Sequence, residues 1–143
     1  MTDGPRFFRL PEPGDIVWCL FPERGIPKPG PKPRPAIVLR TGEADGRPMV
    51  QVAYGTSRKL DRLFGGEFAI GPEDGEAFVH SGLSYPTKFD LGRAIELPFN
   101  EVWFEVAPGA PFGQTPRMGV LHPSLMGRAK AAHGAVRRRG AGR

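Results

Sequence analysis

Cysteine is all but missing. Cys19 is the single one among 143 residues, so no disulfide can form within the chain. It lies inside an apolar run and reads as a small buried hydrophobe. A chain that asks for no disulfide fits a reducing, cytoplasmic setting. No apolar run reaches 18 residues, so no membrane-spanning helix and no membrane partner are expected. The first fifteen residues mix charges with proline and glycine and hold no apolar stretch of the kind that marks a signal peptide. The three histidines, His80, His122 and His133, have no metal-ligand spacing with one another or with Cys19, so the expectation is no metal and no cofactor. A Gly-rich phosphate loop, a nucleophile elbow and paired zinc motifs are likewise missing, which sets aside the enzyme classes built on them.

Glycine and proline, by contrast, are abundant, at 20 and 17 residues. They fall between apolar runs instead of forming one tract, the pattern of short strands joined by tight turns. The length suits one domain, placed at residues 1–126 with a lead-in arm over 1–14, and followed by a basic helix end and tail over 127–143. The net charge of +5 is unevenly spread. The tail carries six of the 20 basic residues and no acid, which leaves 14 basic against 15 acidic residues for the body. Such a tail suits nucleic acid or an acidic partner, or serves only as a solvated end.

Strands are predicted over Ile16 to Phe21, apolar on both faces, then Ala36 to Leu39 and Met49 to Tyr54, with Asp45-Gly46 as the intervening turn. Short strands are expected at Phe68 to Ile70 and Ala77 to Val79. Residues 107–119 read as loop. Leu125, Ala129, Ala132 and Val136 form a narrow helical stripe with Ser124 as its cap. Leu60, Leu63 and Phe64 have helical spacing behind Ser57, which suggests a short capped helix.

Arg34 stands between Pro33 and Pro35 at the mouth of a β-branched run. Proline fixes its own φ and drives the preceding residue towards extended geometry, so Arg34 has little backbone freedom. A guanidinium held this way suits a phosphate; equally, the prolines can simply stiffen a linker. Lys32 and Lys28 alternate with prolines in the preceding loop. At the other strand mouth, Thr56 and Ser57 offer two hydroxyls just before Arg58, Lys59 and Arg62. Lys88 and Asp90 alternate with Phe89 and Leu91, which places both charges on one strand face. Gly92 inside that strand suggests a bulge that re-aims Arg93.

Four blocks, in this order, resemble the MazF/PemK family of toxin endoribonucleases: Gly14 to Trp18 (GDIVW), Arg34 to Leu39 (RPAIVL), the Thr56-Ser57 strand end, and Lys88 to Glu96 (KFDLGRAIE). The resemblance spans about residues 14–105. It implies a mainly β, small SH3-like barrel with short helices and a C-terminal helix, paired as a homodimer, that cuts single-stranded RNA without a metal and is held in check by a cognate antitoxin protein. The first loop departs from the family pattern by being rich in proline and lysine. Lys88 stands where some members have arginine, and Gly92 where they tend to have proline.

Metal-free cleavage uses the RNA's own 2′-hydroxyl and needs a base, an acid and fixed donors for the charged phosphorane. On the resemblance, the catalytic candidates are Arg34 as phosphate holder, Asp90 as base or orienting group, and Thr56 as donor. The RNA-binding candidates are Lys88, Ser57, Arg93, Lys32 and Arg58. The rival expectation is a non-catalytic barrel that binds nucleic acid or a protein partner through the same face and the basic tail.

Overall fold

The structure, a computed structural model, describes residues 9–141. Phe7 and Phe8 of the expected arm and Arg143 of the tail lie outside the described residues.

Six strands form one antiparallel sheet in the order β4-β5-β3-β2-β1-β6. They are β1 (Asp15–Cys19), β2 (Arg34–Ala44), β3 (Arg47–Thr56), β4 (Glu67–Ile70), β5 (Thr87–Pro98) and β6 (Arg117–Val120). The fold is therefore mainly β and barrel-like, with short helices and a longer C-terminal one. Asp45 and Gly46 close the β2–β3 hairpin with φ of +54° and +76°, the two-residue turn whose twist matches the strands. β1 is central between β2 and β6, which explains why both of its faces are apolar.

Each face of the sheet carries its own core. Ile16, Ile37, Ala53, Phe68, Ile70, Phe89 and Leu91 pack on one face beneath the C-terminal helix. Val17, Cys19, Ala36, Val38, Val50, Val52, Leu97 and Phe104 pack on the other. Cys19 is fully buried, and burial pushes its thiol pKa upward, so it behaves as a hydrophobe.

Three elements depart from their expected form. Ala77 to Val79, read as strand, lies within the helix α1 (Glu76–Ser81). An apolar run of three residues fits either period, and here Gly75 and Gly82 bound a short helix. Arg117–Val120, read as loop, is β6, hidden in the sequence by the glycines and prolines around it. Residues 57–66 form no helix: Lys59 has φ +54°, and Leu63 and Phe64 are exposed.

The helix α2 (Met126–Ala141) buries the expected stripe, with Leu125 just ahead of it and Ala129, Ala132 and Val136 against the core. Its lead-in is a 3-10 turn, Pro123–Leu125, and the cap is His122, whose Nδ1 accepts from the Ser124 N–H; Ser124 itself is not the cap. The helix continues through positions 137, 138 and 139. Arg128 docks it by two hydrogen bonds to the Asp74 carboxylate, at 2.6 and 3.0 Å, and one to the Ala69 carbonyl. Those bonds hold the Asp74 pKa below its ordinary value.

Candidate functional site

The end of the sheet where β2 begins and β3 stops is open, and two hollows lie there side by side. The larger, of about 360 Å³, is lined by Trp18, Arg34, Thr56, Ser57, Ser84, Tyr85 and Thr87, with Pro33, Pro35 and Gly55 among its floor residues. The smaller, of about 270 Å³, is lined by Phe21, Arg24, Lys32, Arg34, Tyr54 and Arg93, with Glu23 at its rim. Arg34 belongs to both. Its backbone pairs with Cys19, and the flanking prolines fix its direction, so the side chain stands on the ridge between the hollows. Among the described residues, the Arg34 side chain has no hydrogen bond and no ion pair.

Two glycines shape the larger hollow. A side chain at Gly55 would meet the Pro35 carbonyl and the Phe89 ring, so its absence lets β2 and β3 close on that core. Gly82 has φ +71°, and a Cβ there would run into the Met118 carbonyl. That close approach ends α1 against β6 and turns residues 83–87 into the wall of the hollow. Thr87 donates its hydroxyl to the Tyr85 carbonyl at 2.8 Å, which fixes the turn and leaves the Tyr85 ring 71% exposed at the rim.

Thr56 accepts a 3.1 Å hydrogen bond from the Arg58 N–H through its Oγ1. A hydroxyl used this way keeps its own proton to donate. Ser57 follows it at the lip, exposed.

Strand register places the remaining candidates. Thr56 pairs with Lys88 and Tyr54 with Asp90, while Ala36 pairs with Tyr54, so Arg34, Thr56, Lys88 and Asp90 share one sheet face. Sharing a face is not sharing a cavity. Lys88 is 5% exposed, and its Nζ donates to Glu67 Oε1 at 3.1 Å and to the Arg62 carbonyl at 2.9 Å beneath the 57–66 loop. Asp90 Oδ1 accepts from the Gly92 N–H at 2.9 Å. Neither of the two is among the residues lining the hollows.

The register between β3 and β5 slips at Ala53 and Tyr54, whose partners are Ala94 and Asp90, so residues 91–93 form the bulge expected at Gly92. The bulge turns Arg93 onto aromatic faces, 4.3 Å from the Tyr54 centroid and 5.6 Å from that of Phe21. Lys32 joins Arg93 on the second hollow, whereas Arg58 is exposed outside both.

The structure therefore gathers Arg34, Thr56 and Ser57 on one hollow and Arg34, Lys32 and Arg93 on its neighbour, and sets Lys88, Asp90 and Arg58 apart. Sequence reading missed Trp18, Ser84, Tyr85 and Thr87. The signal for the last three was the hydroxyl-rich stretch Ser81 to Thr87, directly ahead of the Lys88 strand. Spacing also gave no sign that His80 and His122, 42 residues apart, lie with ring centroids 5.3 Å from each other. No protein-family model matches the chain, and no curated protein matches it.

Proposed function

We propose that single-stranded RNA lies across the two hollows and is cut there by its own 2′-hydroxyl, without a metal. The observation that carries this reading is the uncommitted guanidinium of Arg34 on the ridge between a hydroxyl-lined, aromatic hollow and a cationic one. One base stacks on Tyr85 or Trp18 in the first hollow, as aromatic platforms hold unstacked bases in single strands. The phosphate at the ridge takes Arg34 as its bidentate donor, with Thr56 and Ser57 donating from the side. The backbone then follows Lys32 and Arg93 along the second hollow.

In the cleavage step the O2′ proton passes to solvent water, because Asp90 lines neither hollow, a new O2′–P bond forms, and the P–O5′ bond breaks. The products are a 2′,3′-cyclic phosphate and a 5′-oxygen that takes its proton from solvent. Arg34 and the two hydroxyls face the charge that develops on the phosphorane, where fixed donors act most strongly. Lys88 acts indirectly, by tying β5 to β4 and to the 57–66 loop. The assignment as the toxin of a toxin–antitoxin pair, with an antitoxin partner and a homodimeric state, is supported by the four ordered sequence blocks and by the mainly β fold.

A second reading, binding without cleavage, is favoured by one observation: among the described residues lining the larger hollow, none carries a carboxylate or an imidazole. The test is to incubate the protein with long RNA in EDTA. Discrete fragments ending in a 2′,3′-cyclic phosphate, and resistance of a strand with 2′-deoxy sugars at the cut positions, are expected. Intact RNA that is nonetheless retained in salt-sensitive fashion would move the assignment to the binding-only reading.

A further inference from the structure

Away from the two hollows, α1 and the segment leaving β6 bring together Glu76, His80 and His122. One ring nitrogen from each histidine and a Glu76 carboxylate oxygen all lie within 4.8 Å of one another. Glu76 and His80 are four apart on α1, so they share a face of the helix, and the Glu76 Oε1 lies 3.9 Å from the His80 Nδ1. His122 comes from the far end of β6. The two supports are held firmly: Gly119 of β6 packs so tightly on the His80 and Ser81 backbone that a Cβ there would collide with it.

Both imidazoles have an oxygen neighbour at Nδ1. The His80 Nδ1 lies 3.0 Å from the Glu76 carbonyl, which can only accept, so this nitrogen carries a proton and, in the neutral ring, Nε2 has the lone pair a metal needs. The His122 Nδ1 lies 2.8 Å from the Ser124 hydroxyl and accepts from the Ser124 N–H at 3.1 Å. For Nε2 to take a metal, the proton has to move to Nδ1, which then donates to the Ser124 oxygen already in place and gives up the bond from the Ser124 N–H. An oxygen behind each ligating imidazole is the usual support in metal sites. Two neutral imidazoles and one carboxylate suit Zn²⁺ or a neighbouring divalent transition ion, and leave a fourth position for water. Ligand atoms around tetrahedral zinc stand about 3.3 Å apart, a contraction that rotation of these accessible side chains supplies.

We propose that Glu76, His80 and His122 form a divalent transition-metal site, with zinc as the first occupant to test, that clamps α1 to the end of β6. The clamp is structural: it fixes the helix whose C-terminal Gly82 begins the wall of the larger hollow, and it takes no part in the RNA chemistry proposed above.

The experiment titrates untagged, EDTA-stripped full-length protein with Zn²⁺ by calorimetry and by thermal melting. One equivalent should bind, and a hundredfold excess over Kd should raise Tm by roughly 5–10 °C. His80→Ala, whose side chain is exposed, should weaken binding at least about tenfold and remove most of the Tm gain, and Ser124→Ala should weaken it about tenfold. Co²⁺ in place of zinc should give the visible absorption of a tetrahedral site in the native protein and not in the variant. No binding, or binding unchanged in His80→Ala and Glu76→Gln, would overturn the proposal. Because the readout involves no RNA, failure here leaves the cleavage reading untouched, and the reverse also holds.

Discussion

Arg34 and Lys88 project from the same face of the sheet, to either side of Thr56, yet their surroundings are opposite. Arg34 stands at an open mouth with no partner among the described residues, while Lys88 is sealed against Glu67 and the Arg62 carbonyl. The loop over residues 57–66 makes the difference, because its Arg62 carbonyl and Phe64 ring close over Lys88. A cation at a strand mouth is thus free to meet a phosphate or is spent on the fold according to what covers it. The strand pattern alone does not tell the two apart.

The largest effect expected from this contrast is on stability. Lys88→Ala leaves the Glu67 carboxylate, 11% exposed, without its cation, which should cost about 3 kcal/mol in chemical denaturation. Arg34→Ala, which removes no side-chain hydrogen bond or ion pair among the described residues, should cost less than about 0.5 kcal/mol. Equal losses in the two variants would break the comparison.

Smaller effects sharpen it on the open side. Tyr85→Ala should weaken single-stranded RNA binding by about 1–2 kcal/mol, the worth of one stacked base, read by fluorescence anisotropy on a 2′-deoxy-substituted strand. Arg93→Ala should weaken binding by about 1 kcal/mol and reduce the slope of log affinity against log salt by about one, since a phosphate contact releases counterions whatever the base. An Arg93 engaged only with Tyr54 and Phe21 would leave that slope unchanged.

The smallest effect lies in the acid limb of stability. Hydrogen bonding to Arg128 lowers the Asp74 pKa from 3.8, so its contribution is full above 3.8 and is lost as pH falls through the lowered value. Asp15 runs the other way. Burial raises its pKa, so its ionised form disfavours the fold above the raised value, and that cost is relieved as pH falls through it. Asp74→Asn should therefore lower stability at neutral pH by about 1 kcal/mol and flatten the fall below pH 3.8, with the Asp15 effect unchanged.

Much of the fold was legible because apolar runs and turn chemistry agree. The three runs from Ile16 to Tyr54 and the Asp45-Gly46 turn gave β1 to β3, and the stripe from Leu125 to Val136 gave α2. What stayed hidden depended on contacts distant in sequence. The strand at Arg117–Val120 exists because Gly119 can lie against the end of α1, and three apolar residues at 77–79 carry no period of their own. Of the site, Arg34, Thr56 and Ser57 could be chosen from their strand-mouth positions. Tyr85 and Trp18 could not, since their place on the hollow depends on the turn that Gly82 and Thr87 make. Lys88 was legible as a charge on the right face, but its burial was not.

The ridge position of Arg34 is tested most directly by comparing RNA cleavage rates, in EDTA, of the unaltered protein, Arg34→Ala and Arg34→Lys, with matched melting curves. A fall of about 10²–10³-fold for alanine, partial activity for lysine, which keeps the charge but not the fork, and unchanged melting are expected. Cleavage by Arg34→Ala at the full rate would contradict the account.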